Sequence, residues 1–178
     1  MNLTLPIPAS WPVVNRTPDG ATVYEVYPSV TLTVEPLKPL PPDLKDWGDR
    51  IVLAGVQPSS YRVRNVEDLE TENGWPVTLF TSDIIHPGSK QILERRLHAL
   101  YLFVYHGGAA IVRSRSGDAF DVAIADVRAV LLKGAPDWRA GGALTFADLW
   151  DGLDITREVV PLRDRPEGPI AQEPNQVK

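Results

Sequence analysis

Apolar and polar positions alternate with a period of two through much of residues 75–114, and the period lengthens to that of a helix over residues 118–131. Trp75, Val77 and Leu79 fall on one side of a strand, and Thr78 and Phe80 on the other, because successive strand side chains leave opposite faces. His86-Pro87-Gly88 ends that run as a turn cluster. The longest run spans residues 92–104, with Leu93, Leu97, Ala99, Tyr101 and Phe103 on one face. The other face carries Leu100, Leu102 and Val104, preceded by Glu94, Arg96 and His98. A strand apolar on both faces at one end and on one face at the other predicts a central strand with half its length sandwiched. Gly107-Gly108 predicts a hairpin into a strand over residues 109–114. Gly117-Asp118 predicts a helix start with Asp118 as N-cap, and Phe120, Ala123, Ile124, Val127, Val130 and Leu131 form its apolar stripe up to Gly134 and Pro136.

Upstream, prolines punctuate the pattern. Residues 5–12 hold Pro6, Pro8 and Pro12, each fixing its own φ and keeping its predecessor out of the helical region, so an extended edge strand or strap is expected. Asp19-Gly20 is a turn signal before the alternating runs 23–27 and 30–34, and Pro36, Pro39, Pro41 and Pro42 are expected to end the second of these. Pro42-Asp43 predicts a short helix to about residue 54, with Leu44, Trp47, Ile51 and Ala54 inward and Gly55 as the stop. Tyr61, Val63 and Asn65 begin another strand, and Asn73-Gly74 signals a two-residue hairpin.

Hairpins dominate this order, so the expected fold is α+β: a single antiparallel sheet of about six or seven strands with two main helices packed on it. Residues 1–154 are read as one domain, with Trp138, Leu144, Phe146, Leu149 and Trp150 packing back on it, and residues 155–178 as a proline-rich, disordered tail.

Charge and composition narrow the function more than the fold. The 178-residue chain has a net charge of −5 and lacks the basic footprint that a phosphate backbone selects, so nucleic acid is not an expected partner. Cysteine is absent, which removes disulfides, thiolate metal sites and a cysteine nucleophile. The first residues carry neither a basic region nor a continuous apolar one, and no later run approaches a membrane span. A cytoplasmic protein without membrane insertion is the expectation.

Catalytic chemistry finds few candidates. The histidines are His86, His98 and His106, two at turns and one on a strand, and Ser114-Arg115-Ser116-Gly117 is no nucleophile elbow. No His-x-x-x-His, His-Glu-x-x-His, calcium-loop or phosphate-cradle motif occurs. Neither a metal nor another cofactor is expected. Glu94 is the carboxylate to watch, because Arg96 lies two residues on and on the same strand face.

Surface chemistry remains. If the helices cover one sheet face only, Phe80, Leu100, Leu102 and Val104 form an exposed apolar trough of the kind that marks partner sites. The alternative places the same residues under the first helix.

The opening Leu5-Pro6-Ile7-Pro8-Ala9-Ser10-Trp11, the strand pairs, the acid-bearing helix, the Gly74 hairpin, the long strand over 92–104 and the closing helix together resemble the PsbP-like superfamily, whose bacterial branches include DcrB-like proteins and the Eag chaperones of type VI secretion effectors. The resemblance covers residues 3–132 and implies a sheet of six or seven strands, no catalytic residues and a role in protein binding. Eag chaperones hold hydrophobic effector segments in a sheet-lined groove, which is similar to the trough above. The residues after Gly134 depart from the pattern.

The expectation is therefore a non-enzymatic adaptor, chaperone or immunity-type partner of a secreted bacterial protein. It would bind a hydrophobic segment through Phe80, Arg96, His98, Leu100, Leu102 and Val104. One rival is a small hydrolase or transferase using His98 with Glu94. Another is a subunit that self-associates into a homo-oligomer through residues 138–150.

Overall fold

The computed structural model describes residues 3–102 and 106–136. Phe103 and Val104, the apolar segment 138–150 and the tail 155–178 lie outside the described residues, and so do the expectations placed on them.

Nine strands and two α-helices are described: β1 (Leu3–Thr4), β2 (Val13–Arg16), β3 (Thr22–Tyr27), β4 (Val30–Pro39), α1 (Leu44–Gly48), β5 (Tyr61–Glu70), β6 (Pro76–Ile85), β7 (Ile92–Leu102), β8 (His106–Ser114), α2 (Gly117–Leu131) and β9 (Ala135–Pro136). Seven strands form one sheet in the order β2-β3-β4-β8-β7-β6-β5. Every neighbouring pair in it is antiparallel. The fold is α+β, with β1 and β9 pairing apart as a small second sheet. The run over residues 92–102 is central, flanked by β6 and β8.

The two helical elements take opposite faces. Helix α2 lays Phe120, Ala123, Val127 and Leu131 on Val30, Leu32, Val77, Leu79, Leu97, Ala99, Tyr101, Ala110 and Val112. Leu3, Leu5, Ile7 and Trp11 pack against the same cluster, so the proline-bearing opening is a strap and the edge strand begins at Val13. The Tyr101 hydroxyl donates to the Leu131 carbonyl at 2.6 Å, satisfying one of the carbonyls that a helix end leaves without an intrahelical partner. Arg128 grips Glu67 with two hydrogen bonds of 2.8 and 2.9 Å, tying the helix to the outer strand β5.

On the other face, Trp47, Ile51, Val52 and Leu53 cover Tyr61, Val63, Phe80, Ile84, Leu100, Leu102, Ala109 and Ile111. The expected single helix is one α turn, Leu44–Gly48, continued by a π turn, Asp49–Leu53. It stops at Ala54, which takes the left-handed conformation at φ 47° one residue before the expected Gly55.

Local details depart from the sequence expectations for identifiable reasons. β4 continues past Pro36 to Pro39 because a bulge between Glu35 and Lys38 accommodates the missing N–H. Gly107 and Gly108 are strand residues, paired with Leu102 and Tyr101 across β7. A Cβ at Gly107 would stand 2.7 Å from Leu40 and 3.2 Å from Trp47, so glycine there permits close cover rather than a turn. The β5–β6 connection has five residues, not two: Thr71 N–H reaches Trp75 O at 2.7 Å, and Gly74 at φ 83° closes the turn. The N-cap of α2 is Ser116, which accepts from the Ala119 N–H at 3.2 Å, rather than Asp118.

Candidate functional site

The face under residues 44–53 combines an apolar floor with a line of polar side chains. Antiparallel register sets Ser82 beside Arg96 and Phe80 beside His98 on β6 and β7, while Val63 on β5 faces Ser82 and Tyr61 faces Ile84. Alternation then puts Glu94, Arg96, His98, Leu100 and Leu102 on this face together. Phe80, Arg96, His98, Leu100 and Leu102 are all buried. An open trough, one of two arrangements the sequence allowed, is therefore not formed by these residues, and the first helix covers them.

Arg96 is 1% exposed. Its Nε donates to Glu94 Oε1 at 2.6 Å, and its Nη1 donates to the Leu53 carbonyl at 3.1 Å. Arg113 also approaches Glu94, with Nη2 3.3 Å from Oε2. Arg96 has left water while the Glu94 side chain keeps 16% of its exposure, so the pair is neither a surface ion pair nor a fully buried one. The carbonyl that Arg96 takes belongs to the last residue of the π turn, and it accepts from the Val56 N–H at 3.0 Å as well.

His98 stacks on Phe80, with ring centroids 4.6 Å apart and planes 8° from parallel, and Tyr61 stands at 6.4 Å. Neither His98 ring nitrogen has a hydrogen-bond partner, and the same holds for the Tyr61 hydroxyl and Ser82 Oγ. Tyr61 lies near Ser82, and His98 lies near the Val52 backbone, yet neither approach reaches hydrogen-bond geometry. Burial, reinforced by the cations of Arg96 and Arg113, holds the His98 imidazole well below its usual pKa. Burial likewise pushes the Tyr61 hydroxyl above its usual range. Orphaned buried polar atoms cost about 1–3 kcal/mol each, so these four weaken this stretch of interior.

Glu94 and His98, the pair named for acid–base chemistry, are separated by Arg96, and Glu94 accepts from Arg96 and Arg113 rather than from the imidazole. Among the described residues no group of three or more His, Cys, Asp or Glu side chains could hold a metal ion. No helix among them is long and apolar enough to cross a membrane.

Beyond the edge of the cover, the same sheet face opens into a groove of about 360 Å³ lined by Val23, Thr31, Thr33, Glu94, Arg113 and Arg115, among others. At the sheet's margin, β2 pairs with β3 alone. All four of its residues are exposed, Val14 by 53%. Sequence reading singled out Glu94, Arg96 and His98 from strand alternation. It missed the presence of Tyr61 and Ser82 beside them and the contacts of Leu53 and Arg113, which depend on strand order and on where the cover ends.

No family model matches the chain, and no curated protein matches it. Among solved structures it is similar to the solution structure of cyanobacterial PsbP (CyanoP) from Synechocystis sp. PCC 6803, at 15% identity over 75% of this chain and 85% of that one, with a TM-score of 0.49. At that distance nothing of the neighbour's role carries over to this chain.

Proposed function

We propose that the protein is a non-catalytic binding protein that takes an apolar segment of another protein onto the floor formed by Phe80, Leu100 and Leu102, with Arg96 and His98 as its polar members. One observation carries this reading. A contiguous apolar sheet surface is closed by one α turn and one π turn, with Leu40 and Val56 beside them, above four orphaned polar atoms on Tyr61, Ser82 and His98. Such a cover is replaceable by a segment of similar chemistry that fits better. The finer reading, an adaptor, chaperone or immunity-type partner of a secreted bacterial protein, rests on the sequence resemblance to PsbP-like proteins.

Exposed β2 favours a second route, strand addition at the sheet edge. Affinity purification from extract of the source cell separates the two, using Leu102→Asp and Val14→Pro baits matched for folded protein. On the floor reading, a partner held by the wild type and by Val14→Pro is lost with Leu102→Asp. Retention by a folded Leu102→Asp bait, with loss on Val14→Pro, would replace the floor with the edge.

A further inference from the structure

The way residues 44–53 are held gives them a second role. Within this stretch five residues are α-helical and the next five form a π turn, too short to persist without tertiary support. No side chain caps the start of the π turn. Its end runs through Ala54 at φ 47° and Gly55 at φ 87°, consecutive left-handed residues of the kind that can absorb a change of chain direction. On the sheet side stand Trp47, Ile51, Val52 and Leu53, packed on the floor. A side-chain tie from the sheet to this stretch runs from Arg96 Nη1 to the Leu53 carbonyl. Arg96 is held in turn by Glu94, and Glu94 lines the open groove beside Arg113. The latch therefore has one end buried under the cover and the other at a groove that solvent reaches.

We propose that residues 44–53 are an autoinhibitory cover, hinged at Ala54-Gly55 and latched by the Glu94–Arg96–Leu53 relay, that opens locally while the rest of the sheet stays folded. This deepens the binding reading above, since it regulates the same floor. Arg96 is a positioning residue in it: it touches no partner and acts by holding the Leu53 carbonyl. A species that draws Glu94 or Arg96 away from the relay, such as a partner's own carboxylate in the Arg113 groove, would favour the open form.

Hydrogen exchange by mass spectrometry on the full chain tests this, with wild type, Arg96→Met and the milder Glu94→Gln. Local opening predicts that in the wild type the amides of residues 47–53 exchange at least tenfold faster than those of β7 and α2. It also predicts that both variants accelerate the cover at least threefold more than they accelerate β7 and α2. Should Arg96→Met fail to fold, Glu94→Gln alone decides. A cover that exchanges in step with β7 in all proteins, or variants that speed every element equally, would overturn the proposal. The outcome is independent of any partner. A locally opening cover with binding untouched by Leu102→Asp would retire the floor reading and keep the latch. A cover locked to the sheet, with binding lost in Leu102→Asp, would do the reverse.

Discussion

Arg96 on β7 and Leu53 at the end of the π turn are joined by a guanidinium-to-carbonyl hydrogen bond of 3.1 Å, across 43 residues of sequence. This contact fastens the cover to the sheet, and Glu94 neutralises the charge that makes it. Arg96→Met would leave the Leu53 carbonyl with the Val56 N–H alone and the part-buried Glu94 with Arg113 alone. Losing one of two partners on each side costs about 1–3 kcal/mol, and chemical denaturation should show a loss in that range. The double replacement Glu94→Leu, Arg96→Met should cost less than the single one, because the part-buried carboxylate that has lost its shorter contact is then gone.

His98 links stability to pH. Its folded pKa lies well below the usual value, chiefly through burial, so the unfolded chain binds the proton first as pH falls. The stability from keeping His98 neutral is complete above about pH 6.5, its unfolded value, and drains away as pH drops toward the folded pKa. Urea midpoints measured from pH 7.5 to pH 5 should fall. In His98→Phe that part of the slope should vanish and the protein should gain about 1–3 kcal/mol at pH 7.5, since two orphaned nitrogens leave the core. A wild-type midpoint flat across this range would contradict the assignment.

Gly107 is there for closeness. Alanine would bring a Cβ to 2.7 Å from Leu40, 3.2 Å from Trp47 and 3.3 Å from Leu102, so Gly107→Ala should destabilise by about 1–3 kcal/mol through overpacking. It should also loosen the cover more than it loosens α2.

Ser116→Ala provides a contrast remote from the floor. Losing the hydroxyl that accepts from the Ala119 N–H should cost about 1 kcal/mol with no change in partner binding. Asp118→Ala should cost less, since Asp118 adds only a favourable charge in the first helical turn.

Much of the scaffold was legible from periodicity. The α2 stripe and both faces of β7 emerged from spacing alone, because a central strand and an amphipathic helix impose their geometry on every residue they contain. Boundaries set by tertiary fit were not legible. Gly107-Gly108 reads as a turn until Leu40 and Trp47 are seen pressing on it, and Pro36 reads as a terminator until the bulge beside it appears. The site followed the same division. Glu94, Arg96 and His98 share a face by alternation, and their 2.6 Å contact at Glu94–Arg96 follows from that. Whether Phe80, Leu100 and Leu102 faced solvent or a helix depended on which face residues 44–53 chose. Both faces of β7 are apolar, so the strand pattern left that choice open.

The most direct test of binding at the floor is the affinity of a purified partner for Trp47→Ala against wild type, by titration calorimetry. Trp47 is buried in the cover and belongs to the floor's occupant rather than to the floor itself. Removing it weakens the internal competitor and raises the open fraction that sets apparent affinity. The account predicts tighter binding by about tenfold or more, a gain that misfolding cannot mimic. Affinity unchanged or weakened in a folded Trp47→Ala protein would contradict it.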